Sequence, residues 1–226
     1  MLGRLGLEGG ETVLDAGCGS GRITAIVIER VPDGRVIAVD GSPSMVEKVR
    51  EVLRPQDVAI VSDLTKLELD EPVDAVFSTA VFHWILDHDA LFARIRAALR
   101  DGGRFAAQCG GEGNIDVFRK AGEEVARREP YAAYLEGIEG LWNYAGAAET
   151  EARLRAAGFA DVRCWLEPWP VDPPEPEAFA RTICLGAHVE RLPEDLRDRF
   201  VADVLAAQPS PLRLDYVRLN IEATAA

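Results

Sequence analysis

Basic residues are in short supply in this chain. Its 226 residues carry 25 Lys and Arg against 38 Asp and Glu, a formal net charge of −13. Nucleic acid and anionic membranes are held through basic surfaces, so this balance speaks against both as partners and is read as a solubility feature. Long apolar runs are missing too: none reaches the roughly 18 residues of a membrane span, and no secretory signal pattern opens the chain. Cysteine is limited to Cys18, Cys109, Cys164 and Cys184, with no CxxC and no histidine at metal-ligand spacing. That pattern points to free thiols in a cytoplasmic protein without a metal site. A small buried hydrophobe is the plain role for each cysteine, and a metalloid-binding trio is the alternative.

What is present is a β/α alternation, the signature of a parallel sheet with crossover helices. The length fits one α/β domain over 1–226 with a small cap. The pattern predicts strands at Thr12–Asp15, Arg35–Val39, Val58–Val61, Val73–Ser78, Arg104–Gln108 and Asp161–Leu166, with a last strand-like run at Leu212–Ile221. Predicted helices include Gly21–Arg30, with Ile23, Ile26 and Val27 apolar, and one opened by Ser42-Pro43 with Met45, Val46, Val49 and Leu53 as its stripe. A third runs from about His88 to Arg100 and is stopped by Gly102-Gly103. Glu149–Ala157 is expected to be helical up to Gly158. Residues 111–147 read as a helical cap insertion rich in aromatics: Tyr131, Tyr134, Trp142 and Tyr144. The proline-dense stretch 168–176 reads as a stiff connector. A C-terminal helical segment of about 177–207 follows, as two helices, with Pro193 the first helical residue of the second.

The strongest local signal is VLDAGCGSG at 13–21, which places Asp15, Gly17, Gly19 and Gly21 between a strand and a helix. Glycines there permit a tight turn and close approach of a ligand to the backbone. Asp40 ends the second strand, where a carboxylate can take both hydroxyls of a ribose. Asp63 follows the third strand, either reaching an adenine amino group or serving as a helix cap or a solvated loop acid. The loop is GxGxG rather than GxGxxG and has an acid before it, which suits an ammonium better than a pyrophosphate.

With these residues in place, the chain resembles the class I S-adenosylmethionine-dependent methyltransferases, most of all the trans-aconitate 2-methyltransferase-like branch. The resemblance covers about 10–166 and rests on VLDAGCGSG, IAVDGSPSMVEKVR, SDLTKL, VDAVFSTAVFHWI and DGGRFAAQ. It implies a Rossmann-like sheet of seven strands in the order 3-2-1-4-5-7-6, mostly parallel with the last strand antiparallel, helices on both faces, and Leu212–Ile221 as strand seven. It implies S-adenosylmethionine as cofactor and S-adenosylhomocysteine as product. Asp15, Gly17, Cys18 and Gly19 would line the methionine end, Asp40 and Gly41 the ribose, and Asp63 and Leu64 the adenine. Met45, Thr79, Ala80 and His83 complete the implied cofactor contacts. A helix ahead of the first strand usually helps cover the site in this family. Here the strand begins about ten residues in, so a more open site and weaker cofactor retention are expected.

The acceptor is expected to be a small molecule, a carboxylate among the options, methylated by direct displacement. His83 is the candidate base, or else it orients the loop beside Trp84. Trp84, Trp142, Tyr144 and Arg218 are the candidate acceptor contacts, Arg218 being the first choice among Arg181, Arg191, Arg213 and Arg218 for pairing with a carboxylate. The protein is expected to act as a monomer or homodimer. Two rivals stand beside this reading: a cofactor-binding module without methyl transfer, and a nicotinamide-dependent oxidoreductase.

Overall fold

A computed structural model describes residues 2–138 and 140–226. They fall into two compact units: Met1–Glu112 with Trp142–Leu166 and Leu219–Ala226, and Gly113–Leu141 with Glu167–Arg218. The strands are β1 (Thr12–Ala16), β2 (Arg35–Asp40), β3 (Val58–Val61), β4 (Val73–Thr79), β5 (Leu99–Gly110), β6 (Phe159–Pro168) and β7 (Val217–Ala225). The helices are α1 (Arg22–Arg30), α2 (Pro43–Val49), α3 (His88–Ala98), α4 (Asp116–Ala126), α5 (Ala132–Leu135), α6 (Ala147–Ala156), α7 (Pro176–Phe179), α8 (Gly186–Arg191) and α9 (Glu194–Ala206). No described helix is long and apolar enough to cross a membrane.

The first unit is built on a seven-stranded mixed sheet in the order β3-β2-β1-β4-β5-β7-β6, as expected. β2 and β4 flank β1, and all the pairs from β3 through to β5 are parallel. Strands covered on both faces read as continuous apolar runs, and Val13, Leu14, Val36, Val39 and Val76 are accordingly shut off from solvent. Val27 of α1 packs on one face with Val13, Val36 and Phe77, and Leu91, Phe92 and Ile95 of α3 pack on the other with Leu14 and Val76. The far end of β2 is fixed by Asp57, whose carboxylate accepts from the Val36 and Arg54 amides at 2.8 and 2.9 Å and pairs with the Arg54 guanidinium at 2.9 Å. Such anchoring sets where the other end of the strand, Asp40, stands.

The second unit packs α4, α8 and α9 around buried Phe118, Val125, Phe200 and Val204. Tyr131 is buried there, donating its hydroxyl to Asp203 at 2.6 Å and meeting Phe200 edge-on. The two stretches read as separate appendages, about 111–147 and 177–207, supply most of this unit, while Trp142 and Tyr144 belong to the first.

Several expected boundaries shift. Ile26 is exposed, and buried Thr24 takes its place on the inner face of α1. α2 ends at Val49, short of Leu53. α3 stops at Ala98, and Gly102-Gly103 lies inside β5, where the pairing with β4 slips between Val73 and Ala75. A strand can absorb two glycines at such an irregularity without breaking. The helix expected over 177–189 is three pieces, α7, a π-helical turn at Ala180–Cys184, and α8. Pro193 caps α9 from outside it. The last strand runs Val217–Ala225, later than expected, because Leu214 is taken up in an isolated antiparallel bridge with Val171 of the proline-dense stretch.

Candidate active site

Open parallel sheets bind ligands beyond the carboxyl ends of their strands, where the strand order reverses. In this sheet the reversal lies between β1 and β4. A cavity of about 740 Å³ opens there, lined from the loops that follow β1, β2, β3 and β4. Of the residues singled out from sequence, the lining includes Asp15, Gly17, Cys18, Gly19, Asp40, Gly41, Asp63, Leu64, Thr79, Ala80 and Trp84.

The loop after β1 is tied down by its own backbone. The Gly17 and Cys18 amides both donate to the Val39 carbonyl, at 2.8 and 2.9 Å, and the Gly19 amide donates to Asp40 Oδ2 at 2.9 Å. Three successive N–H groups are thus committed to β2 rather than turned to a ligand. A pyrophosphate cradle needs such amides free, so the geometry disfavours a dinucleotide. Gly17 adopts φ +87°, and a Cβ there would stand 2.2 Å from Val81 Cγ2. Gly19, at φ +53°, would project a Cβ into space with no atom within 4 Å. The cavity therefore comes right up to the backbone at Gly19, a cradle that any side chain would begin to fill.

The charged groups of the lining are mostly acidic: Asp15, Asp40 and Asp63 against Arg22. Asp15 is buried, with Oδ2 accepting from the Thr24 hydroxyl at 2.7 Å. Burial pushes its pKa up to about 6; Thr24 offsets part of this and the nearby Asp40 charge adds to it. Such a carboxylate favours a cation in its vicinity. Asp40 Oδ1 accepts from the Ser42 amide at 2.8 Å. Each carboxylate oxygen has a second lone pair, so both can still accept hydroxyl donors. Asp63 caps the 3-10 turn Leu64–Lys66, with Oδ1 accepting from the Thr65 amide and hydroxyl at 2.9 and 2.8 Å. These bonds, from the Thr65 amide first, hold its pKa below the usual value. It is both a turn cap and part of the cavity wall.

The loop after β4 is similarly anchored. Ser78 donates its hydroxyl to the Ala16 carbonyl at 2.6 Å, and the Ala80 amide donates to the Gln108 carbonyl at 2.7 Å. Ala80 sits at φ +59°, a conformation that L residues other than Asn and Asp rarely take. His83 lies behind the wall rather than in it. Its Nδ1 accepts from the Gly110 amide at 3.3 Å, which puts the proton of the neutral ring on Nε2. His83 stacks on Tyr144 with centroids 5.8 Å apart, and Trp84, Trp142 and Tyr144 complete the cluster.

Met45 is half-buried on α2 and does not line the cavity. A residue at the second position after an N1 proline turns with the helix, and the turn here carries it off the wall. Trp142 and Tyr144 reach the cavity only through Trp84. Arg218 belongs to the second unit, its guanidinium 4.6 Å over the Tyr216 ring. Arg181 pairs there with Asp198 at 2.5 Å, and Arg213 with Asp172 at 3.8 Å. The lining also includes Ser20, Arg22, Ser62 and Ile85, which were not among the candidates, Ile23, which was expected only as an apolar helix residue, and Val81 of the loop after β4. For Ser20, Arg22, Ser62, Val81 and Ile85 the signal is adjacency, since each neighbours a residue already singled out.

A family model described as a methyltransferase domain matches residues 14–107. Trans-aconitate 2-methyltransferase of Azoarcus sp. (strain BH72) is 40% identical over 141 residues, 62% of this chain and 54% of that relative. The same-named protein of Methylobacterium nodulans is 30% identical over 167 residues, 74% of this chain and 59% of that relative. The chain thus spans less than two thirds of the length of these two. The Variovorax paradoxus protein of that name is 29% identical over 225 residues, 97% of this chain and 86% of that relative. Among solved structures, an S-adenosylmethionine-dependent methyltransferase from Mesorhizobium loti shares the fold, with TM-score 0.58 at 19% identity over 99% of this chain and 94% of its own. So does Haemonchus contortus phosphoethanolamine N-methyltransferase 2 in complex with S-adenosyl-L-methionine, with TM-score 0.60 at 20% identity, over 99% of this chain and 50% of its own.

Proposed function

The chain belongs to the class I S-adenosylmethionine-dependent methyltransferases, and from that premise we propose that it methylates a small-molecule carboxylate by direct displacement. S-adenosylmethionine is the cofactor of this family, and the cavity fits it: open space at the Gly19 backbone, acids at the ends of β1 and β2, and the Gly17, Cys18 and Gly19 amides committed to β2 instead of a pyrophosphate. When bound, the cofactor supplies a methyl group on a cationic sulfur with a good leaving group.

The chain's own residues then have binding, orienting and water-excluding work. Asp40 takes the ribose hydroxyls, held in place by the Gly19 and Ser42 amides. Asp15 supplies negative charge to the ammonium end, and the loop Thr79–Trp84 bounds the methyl-bearing end. Acceptor and donor are thereby aligned as one unimolecular pair. A carboxylate is already a nucleophile: its oxygen would take the methyl group as the carbon–sulfur electron pair passed to sulfur, giving a methyl ester and a neutral thioether, so none of these residues would have to move a proton.

That last point makes a base unnecessary, and the His83 geometry supports the same view. With Nδ1 engaged by Gly110, the ring presents Nε2–H as a donor, so His83 shapes the loop and does not take a proton. The relatives named for trans-aconitate methylation favour a carboxylate acceptor. The four buried cysteines, none of them in a disulfide among the described residues, favour the cytoplasm.

The observation that carries the reading is the Gly19–Asp40 junction at the edge of the cavity. Calorimetry with S-adenosylhomocysteine and with NAD, followed by label transfer from S-adenosylmethionine to a panel of organic acids, tests it. Binding of the first ligand alone and a labelled ester are expected. Binding of NAD instead, or cofactor binding with no labelled product from any acceptor, overturns it.

A further inference from the structure

We propose that the acceptor is a flat aromatic or conjugated monocarboxylate whose apolar body lies against the indole of Trp84. This rests on the methyl-transfer reading above and names the substrate class of that site.

Trp84 is a wall residue of the cavity and at the same time the outermost ring of an aromatic cluster. Its ring lies 5.8 Å from Trp142, which stacks on Tyr144 at 5.9 Å and 9° between planes. Tyr144 in turn stacks on His83, and His83 lies 5.2 Å from Trp84, so four rings close into one group. The Asn143 backbone between them is fastened to the loop, its amide donating to the His83 carbonyl at 2.9 Å and its side chain to the Leu86 carbonyl at 2.9 Å. The platform is therefore rigid on its inner side. Its outer member is nevertheless 51% exposed. A large indole fixed from behind and left open beside a cavity suits a planar partner, because offset stacking removes apolar area from water on both faces.

Charge narrows the class further. Asp15, Asp40 and Asp63 line the cavity, and Arg22 is the one basic residue among its described lining residues. The acids serve the cofactor, and with Arg22 the one basic residue of the described lining, a tricarboxylate would have charges left without a partner there. A single carboxylate is enough for the reaction, since one oxygen forms the new bond to methyl carbon as the carbon–sulfur pair of electrons goes to sulfur.

The test uses the full chain, with trans-cinnamate as the flat monocarboxylate and trans-aconitate as the tricarboxylate. Calorimetry first establishes S-adenosylhomocysteine binding. Each acid is then titrated into that complex, read by heat and by tryptophan fluorescence, and label transfer to each acid is measured. Trans-cinnamate is expected to bind at least tenfold more tightly than trans-aconitate, to quench fluorescence saturably and to be the better methyl acceptor. Trp84→Ala is expected to weaken it tenfold or more, and Trp142→Ala severalfold, with a smaller loss of S-adenosylhomocysteine affinity in each case. Preference for trans-aconitate, indifference of trans-cinnamate affinity to Trp84→Ala, or no binding of either acid to a chain that does bind S-adenosylhomocysteine overturns the proposal and leaves the cofactor reading standing. Absence of S-adenosylhomocysteine binding overturns both.

Discussion

The Gly19 amide and the Asp40 carboxylate are hydrogen-bonded at 2.9 Å, so the loop after β1 and the end of β2 form one joined surface. The second oxygen of Asp40 is fixed by the Ser42 amide, which opens α2. One side chain thus sets three backbone segments and still offers lone pairs to a ribose. Replacing it removes hydrogen bonds to a charged acceptor, each worth about 1.5–3 kcal/mol. Asp40→Ala is expected to weaken S-adenosylhomocysteine binding by about 10- to 100-fold in calorimetry while the protein stays folded. Near-parent affinity would refute the ribose assignment.

Gly17 and Gly19 are both left-handed, yet they answer to different neighbours. At Gly17 a methyl group collides with Val81; at Gly19 it enters the cavity. Left-handed strain for alanine is about 1–2 kcal/mol, and overpacking adds about 1–3 kcal/mol. Gly17→Ala is expected to lower the melting temperature more than Gly19→Ala, and Val81→Ala in the same chain to restore part of the loss. Gly19→Ala is expected to reduce cofactor affinity at modest cost to stability. Equal destabilisation by the two, with no rescue from Val81→Ala, would show that the cavity does not begin at Gly19.

Much of this site is legible in the sequence because strand, glycine turn and acid follow one another closely. VLDAGCGSG, Asp40 and Asp63 each fall at the carboxyl end of a strand, and parallel topology gathers such ends on one rim. Val81 filling the space over Gly17 depends on where β4 ends relative to β1, a tertiary fact. The strained Ala80 leaves no compositional trace, since its φ of +59° is imposed by its neighbours. Gly102-Gly103 misleads because the same pair serves a helix stop and a strand irregularity. The helix over 177–189 is broken by a π-helical turn that apolar periodicity does not reveal. Arg218 sits within an apolar run, and the sequence does not reveal that its guanidinium lies over the Tyr216 ring.

Asp15 makes a prediction about pH. Its pKa rises from 3.8 to about 6 in the folded protein, chiefly through burial. Between those values the native state keeps a proton that the unfolded chain has released, so stability falls as pH rises through about 4 to 6 and then levels off. The shift corresponds to roughly 3 kcal/mol lost at pH 7. Asp15→Asn, which can still accept from Thr24, is expected to raise the melting temperature at pH 7 by several degrees, to flatten the pH 4–6 slope and to weaken cofactor binding. An Asn variant no more stable than the parent at pH 7, or one that binds as tightly, would show that the carboxylate is not held at a cost for the ligand.

His88 makes the last prediction, through a loop it does not belong to. Its buried ring stands with Nε2 3.0 Å from the carbonyl of Phe82, the first residue of the turn that carries His83 and Trp84, and rests on Phe92. Nδ1 has no partner among the described residues, so Nε2 must hold the proton of the neutral ring and donate it to that carbonyl. Burial lowers the pKa below the ordinary 6.5, with the Arg153 charge adding to this and the Phe82 hydrogen bond opposing it. The depressed value means the unfolded chain takes up the proton first, so the contribution to stability is present above pH 6.5 and declines as pH falls below it. His88 is thus a positioning residue for the aromatic platform. Glutamine can donate to the same carbonyl; alanine cannot and leaves a void. His88→Ala is expected to raise the acceptor KM about fivefold, the worth of about one hydrogen bond, with S-adenosylhomocysteine affinity unchanged, while His88→Gln stays close to the parent. A uniform loss of kcat, cofactor affinity and stability in both variants would show that His88 serves the core and not the loop.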